Sequence, residues 1–320
     1  MKNNNTHQIN ICEICGSRDL IHTYNGKDRL LGINGEFEIL QCKHCDLYLV
    51  SPKLPEEEMS NYYPQEYLCY RKAIEDSENI FQRINQSLAR NKLCRQVEKR
   101  TKQKGILLDV GCATGIFLDG MRQRGWQVRG VEPNQDAAQY AQDRFGLDVF
   151  PGYLHEVKLE SDTFDVVTIW DVLEHVPDPH AFVNDIYRVL KPGGLIIANL
   201  PNGEAWERYL FGKYWVGWEI PRHYRTFTPT SIKNFLTGQG FTNIDVFSFI
   251  GRHGVFILSV KFWLDGIKIA PWIKKIVYLL LRSFLFRILS LPVFLFAEKL
   301  NRGNNMSFSA QKPFTSKNNA

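Results

Sequence analysis

Leu107-Leu-Asp-Val-Gly-Cys-Ala-Thr-Gly-Ile-Phe-Leu-Asp-Gly120, followed by Val128-Arg-Gly-Val-Glu-Pro-Asn134, decides how this 320-residue chain is read. The first stretch is a short apolar run that ends in a glycine turn; the second is an apolar run that ends in an acid. A glycine turn directly after a buried strand lets a ligand approach the backbone closely. The helix that follows presents free N–H groups. Gly111 and Gly115 are spaced G-x-x-x-G, so the G-x-G-x-x-G dinucleotide fingerprint is absent. Glu132 ends the second run roughly 20 residues past Gly111, where such folds place an acid on ribose hydroxyls. Asp109 sits just before the turn, able to orient it and to attract an ammonium group.

Outward from this stretch, apolar strands alternate with helices from about Gly105 to about Trp263, which argues for a parallel sheet covered on both faces. Phe164–Trp170 and Leu195–Leu200 read as further strands, with a helix over Pro179–Leu190 between them. Another helix starts at Thr228, its N-cap, with Pro229 in first position. Thr242–Phe249 and Gly254–Phe262 read as a closing hairpin. The expected architecture is α/β: a doubly wound, mostly parallel seven-stranded sheet over 105–263.

Asp109-Val-Gly-Cys-Ala-Thr-Gly115 resembles motif I of the class I S-adenosylmethionine-dependent methyltransferases. Glu132 matches their ribose-binding acid, Asp165–Asp171 their fourth-strand motif, and Leu190–Gly194 the turn before strand five. The resemblance covers about half the chain, with its motifs in order. It implies S-adenosylmethionine as cofactor, bound by Asp109, Gly111, Cys112, Gly115, Glu132 and Asp171. The acid that the family often carries after strand three is missing from Gly152-Tyr-Leu-His155, where Tyr153 or Leu154 would cover the adenine by packing.

Cys12-x-x-Cys15 and Cys42-x-x-Cys45 have the spacing of a four-thiolate zinc site. Two such knuckles close the coordination shell, so the ion would be structural and would supply folding energy to a segment with little core of its own. Residues 1–54 are therefore expected to form a zinc ribbon, and 55–104 a helical linker. Cys42–Pro52, followed by Asn61-Tyr-Tyr63, resembles the zinc-binding N-terminal module of bacterial small-molecule methyltransferases. An alternative is an RNA methyltransferase gripping phosphates with the ribbon and the basic run from Arg90 to Lys104. A charge run is more often a solvated face, so nucleic acid is the minority reading. A non-catalytic scaffold is the third.

Two histidines fall where ligands bind in open sheets, beyond the carboxyl ends of the strands. His223 is the preferred base and His175 the second candidate. Asp171-x-x-Glu174-His175 resembles the acid-rich segment of quinone-biosynthesis O-methyltransferases, where a divalent metal is implied. The first acid there is usually Glu, and the shorter aspartate counts against a metal. Trp206, Tyr209, Phe211, Tyr214, Trp215 and Trp218 could form either a lid or core.

Residues 264–300 are apolar and basic. Ile276–Ala297 is long enough to span a bilayer, but Arg282, Arg287 and Pro292 interrupt it, which favours an in-plane interfacial helix. The tail, 301–320, is polar and is expected to be disordered. The N-terminus carries no apolar run and the net charge is +5. These point to a cytoplasmic protein, held at the inner membrane face if 276–297 binds lipid.

Overall fold

The computed structural model describes residues 8–63, 80–249 and 253–314. Strands β1 (Leu20–Gly26), β2 (Phe37–Cys42) and β3 (Tyr48–Ser51) come from the cysteine-rich segment, followed by α1 (Glu56–Met59) and α2 (Ile80–Glu98). Strands and helices then alternate: β4 (Ile106–Val110), α3 (Ile116–Gln123), β5 (Gln127–Glu132), α4 (Gln135–Phe145), β6 (Val149–Pro151), β7 (Phe164–Trp170), α5 (Pro179–Val189) and β8 (Leu190–Pro201). After these come α6 (Trp206–Phe211), β9 (Arg225–Thr226), α7 (Pro229–Gly238), β10 (Thr242–Phe249), three helices, α8 (His253–Asp265), α9 (Pro271–Arg282) and α10 (Phe284–Lys299), and finally β11 (Asn305–Gln311).

The main sheet has seven strands in the order β10-β11-β8-β7-β4-β5-β6. The run from β8 to β6 is parallel, and β11 is antiparallel to both β8 and β10. β4 and β7 are near-continuous apolar runs because helices cover both of their faces; Leu107, Leu108, Val166 and Val167 are fully buried. Local signals start the helices. Asn134 caps α4 through the Ala137 N–H, Asp178 caps α5, and Thr228 forms a reciprocal capping box with Ser231 on α7. α2 packs on the domain, with Cys94 and Val97 fully buried. A side chain at Gly120 on α3 would meet Cys94 Sγ at 3.0 Å, so glycine permits the two helices to approach.

Three expectations need correction. Residues 254–262 form helix α8, not a strand; the apolar run Val255–Leu258 carries no period that separates the two, and Ser259 and Lys261 mimic strand alternation. The last strand is β11, from the tail expected to be disordered. Met306, Phe308 and Ala310 are buried in the sheet and alternate with serines. The methyltransferase-like unit therefore extends beyond residue 263. Ile276–Ala297 is not one helix: α9 and α10 meet at Ser283 with a 69° bend, and no single helix among the described residues is long and apolar enough to cross a membrane.

Nor is the cysteine-rich segment a separate body. Its sheet runs β1-β2-β3-β9, and β9 belongs to the loop after β8. The aromatic segment after β8 divides. Trp215 and Trp218 are buried and share a core with β2 and β3, whereas Tyr209 is exposed.

Candidate cofactor cleft and adjoining histidine loop

The carboxyl ends of β4, β5 and β7 bring the predicted residues to one edge of the sheet. Gly111 and Gly115 both have φ +76°, a conformation that glycine adopts without strain. A side chain at Gly111 would collide with Val172 Cγ2 at 2.6 Å, and one at Gly115 with Leu147 Cδ1 at 2.6 Å. The turn is thus fixed by packing as well as by backbone shape. Cys112 is buried within it, and burial pushes its thiol well above the usual range.

Glu132 reaches back under this turn. Its Oε2 accepts from the Ala113 N–H at 2.8 Å and its Oε1 from the Asn134 N–H at 2.9 Å. Burial nevertheless raises its pKa, with the two amides opposing the rise. Asp109 lies deeper. Its Oδ1 accepts from Thr168 Oγ at 2.7 Å, and its Oδ2 has no hydrogen-bond partner among the described residues. Burial pushes its carboxyl up to about 8. Asp171, with φ +57°, accepts from Asn199 Nδ2 at 2.6 Å and from Asn305 Nδ2 at 3.2 Å. Leu154 is buried, while Tyr153 is exposed and stacked on His155.

The loop after β7 joins this turn to the histidines, since Val172 packs on Gly111 and His175 lies three residues further on. The His175 and His223 rings meet edge to face at 4.6 Å. His175 Nδ1 lies 3.0 Å from the Arg222 carbonyl and 2.9 Å from Tyr63 Oη. His223 Nδ1 lies 2.9 Å from the Gly217 carbonyl. A carbonyl only accepts, so both rings are assigned Nδ1–H, which leaves Nε2 as acceptor. Burial, reinforced by His223, lowers His175 to about 3; burial also lowers His223, with Glu219 opposing. Both rings are neutral at neutral pH.

Of the predicted trio Asp171, Glu174 and His175, the structure separates the first from the others. Asp171 is turned to Asn199 and Asn305, and His223 takes its place. Donor atoms of Glu174, His175 and His223 all lie within 4.8 Å of one another. The four cysteines of the ribbon form the other such group, with Cys12–Cys45 and Cys15–Cys42 sulfur separations of 3.6 Å.

The sequence reading missed the residues that hold the loop. Arg225 is fully buried and pairs with Glu13, which lies between Cys12 and Cys15. The same guanidinium donates to the carbonyls of Leu173, Val176 and Pro177. Burial opposes ionisation of Glu13, but Arg225 and Lys53 together hold its carboxyl below its usual range. Arg222 forms a second buried pair, Nη2 to Asp28 Oδ1 at 2.9 Å, and also donates to the Tyr62 carbonyl. The available signal was Arg222-His-Tyr-Arg225, two arginines flanking the candidate base.

A family model described as a methyltransferase domain matches residues 80–246 of this chain. The chain belongs to the class I S-adenosylmethionine-dependent methyltransferase family. This methyltransferase is 36% identical over 149 residues to a ubiquinone biosynthesis O-methyltransferase of Maricaulis maris (strain MCS10), a match covering 42% of this chain and 58% of that one. It is 31% identical over 186 residues to the enzyme of the same name from Psychrobacter arcticus (strain DSM 17307 / VKM B-2377 / 273-4), covering 52% and 70%. The chain thus spans less than two thirds of the first relative's length. Among solved structures, a SAM dependent methyltransferase from Archaeoglobus fulgidus superposes with a TM-score of 0.49 at 19% identity, covering 71% of this chain and 94% of that one. The ribbon, residues 12–45, and the insertion carrying α8 to α10 both lie outside the span that the family model matches.

Proposed function

We propose that this methyltransferase moves the methyl group of S-adenosylmethionine to an oxygen of a small hydroxylated acceptor. The observation that carries the reading is the side-chain-free turn at Gly111 and Gly115 with Asp109, Glu132 and Asp171 arrayed along the same edge. The donor is cationic at sulfur and at its ammonium, so carboxylates at that edge favour it. The buried Asp109 Oδ2, without a partner among the described residues, fits a site that awaits a cation. Glu132 and Asp171 would bind and orient the cofactor, and Cys112 would line the turn.

In the transfer, an acceptor oxygen lone pair forms the new C–O bond as the C–S bond breaks, leaving a neutral thioether. The acceptor proton must go to a base. His223 suits this role because its Nε2, 3.8 Å from Glu219 Oε2, carries no proton in the assigned tautomer and burial keeps the ring neutral. His175 would orient the acceptor beside it. The names of the two relatives support an oxygen acceptor, and a sugar derivative remains within the same chemistry.

The four thiolates fit a structural zinc ion. Zn–S bonds of about 2.3 Å in a tetrahedron set sulfurs about 3.8 Å apart, close to the 3.6 Å separations observed. RNA as acceptor stays the minority reading: Arg95, Lys99, Lys102 and Lys104 are exposed, as on an ordinary solvated face, and two other cations of the run are drawn into packing. Arg100 lies 3.7 Å over the Phe247 ring, and burial lowers Lys92 to about 8.

The test is calorimetric titration with S-adenosylmethionine, followed by labelled methyl transfer to catechol-type and sugar acceptors. Absence of cofactor binding by the wild type would sink the reading, as would full binding by Glu132→Gln. One observation favours a second reading, the convergence of Glu174, His175 and His223. There a divalent cation would be held by these three and would bind the acceptor oxygen. Rates that survive chelation, with metal analysis showing one zinc per chain, support the base. Rates lost on chelation and restored by magnesium or manganese support the cation.

A further inference from the structure

The chain leaves the main sheet at Phe249 and returns at Asn305, and these two residues are register partners in the β10–β11 ladder. Asn305 also pairs with Pro201 at the carboxyl end of β8. Everything from 250 to 304 is therefore one insertion whose two ends meet at the carboxyl edge of the sheet. That edge carries the cofactor turn, and Asn305 itself donates to Asp171.

The insertion is anchored on one side only. Phe286, Phe294 and Ala297 form the inner stripe of α10, and both phenylalanines pack on Phe256 of α8. α9 packs Val277 and Leu281 against the core shared with β2 and β3, and the remaining faces of α9 and α10 turn outward. Of the 24 exposed large apolar side chains among the described residues, 13 lie between Trp272 and Leu300. Phe284 is 78% exposed, Leu285 65% and Leu289 67%. A helix apolar on nearly every side belongs in a core or in lipid, and a soluble surface rarely leaves so large a patch uncovered. Between Lys268 and Arg302 there are seven basic residues and one acid, Glu298.

We propose that α9 and α10 form a monotopic elbow that seats the carboxyl edge of the sheet on an anionic lipid bilayer. Three features select an in-plane elbow over a span. Both ends return to one folded domain, so a single crossing would strand half the sheet on the far side. α9 and α10 are about 18 Å and 24 Å long, each short of the roughly 30 Å hydrocarbon core. Pro292 has no N–H, which leaves the Ile288 carbonyl without its helical partner; headgroups and water can satisfy it at an interface. Charge selects lipid over a second copy. A two-fold dimer would press the patch against itself and bring its exposed cations, Lys275, Arg282, Arg287 and Lys299, toward their own copies, whereas anionic headgroups complement them.

The inference goes beyond methyl transfer and does not depend on it. The test uses the full chain and sedimentation with vesicles of phosphatidylcholine, with or without about one third phosphatidylglycerol. The wild type is expected to bind the anionic vesicles preferentially and to come off in alkaline carbonate. Leu285→Asp/Leu289→Asp and Lys275→Glu/Arg282→Glu should each weaken binding by about tenfold or more. All four positions are exposed, so cofactor affinity should stay unchanged and report intact folding. Equal binding to neutral vesicles, resistance to carbonate, or undiminished binding by both variants would overturn the proposal. So would a dimer in light scattering that Leu285→Asp/Leu289→Asp splits while no vesicle binding is seen.

Discussion

Replacing Asp109 with asparagine is expected to stabilise the cofactor-free protein at high pH and to weaken its hold on S-adenosylmethionine. Asp109 is 1% exposed, its Oδ1 accepts from Thr168, and its Oδ2 has no partner among the described residues. Burial moves its pKa from 3.8 to about 8, against the pull of Thr168 and with some help from Glu132. A carboxyl raised by folding contributes stability that is complete below its unfolded pKa and is lost as pH climbs through its folded one. The window is therefore 3.8 to about 8. At 1.36 kcal/mol for each pH unit, ionising the group in place costs up to roughly 6 kcal/mol. Asparagine keeps the acceptor for Thr168 and never ionises, so it mimics the neutral acid. Urea unfolding of both proteins from about pH 5 to about pH 9 measures the difference. The advantage of Asp109→Asn over the wild type should grow by roughly 4 kcal/mol between about pH 5 and about pH 8 and then level off. His175 and His223 are lowered by burial and act with the opposite sign, but they are common to both proteins and cancel in the comparison. Parallel curves would refute the reasoning, because Asp109 would then ionise in the fold without cost. The cofactor half of the prediction, read at about pH 9 where Asp109 is ionised, is a loss of affinity of about tenfold or more by calorimetry, since a carboxylate facing a cation is replaced by a neutral amide.

Glu132→Gln should lose at least about tenfold in cofactor affinity and about 1 kcal/mol of stability, because an amide group cannot accept from both the Ala113 and Asn134 N–H groups; calorimetry and urea unfolding read the two effects. Cys45→Ser, or zinc chelation, should lower the melting temperature and the rate together, with metal analysis confirming loss of one zinc. His223→Asn should lower kcat by about a hundredfold or more while leaving cofactor affinity unchanged, if His223 is the base. Because burial lowers His223, the wild-type rate should show no fall near pH 6.5, where an ordinary histidine would protonate; a break there would place His223 in solvent contact.

Much of the fold was legible because its signals are local. Leu107–Gly120 is at once a buried strand, a left-handed glycine turn and a helix start, and each reading reinforces the others. The two cysteine pairs carry fixed spacing and converge as that spacing implies. The misreadings lie where pattern is degenerate or the partner is remote. In Gly254–Phe262 the apolar run Val255–Leu258 has no period, and Ser259 and Lys261 then alternate with apolar residues as in a strand, so local pattern points away from the helix. Asn305–Gln311 does alternate, but the polar residues around it disguise a strand whose partners lie more than 100 residues away in β8. Asp171 could not be separated from Glu174 and His175 in sequence, because what turns it away is Asn199 on β8 and Asn305 on β11.

The ribbon's position would give a zinc ion held by its four cysteines a role that spacing alone could not reveal. Glu13 lies inside the first knuckle, and its partner Arg225 holds the carbonyls of Leu173, Val176 and Pro177. Those carbonyls belong to the loop that carries Glu174 and His175. β3 pairs with β9, which begins two residues after His223, and Tyr63 reaches His175 directly. The knuckle thus fixes one end of the histidine loop and the ribbon sheet fixes the other. A buried arginine left without its carboxylate costs about 3–5 kcal/mol, so any loosening of the knuckle that frees Glu13 must be felt at the loop. On this geometry the four-cysteine cluster and the two histidines form one mechanical unit, although more than 160 residues separate Cys12 from His175.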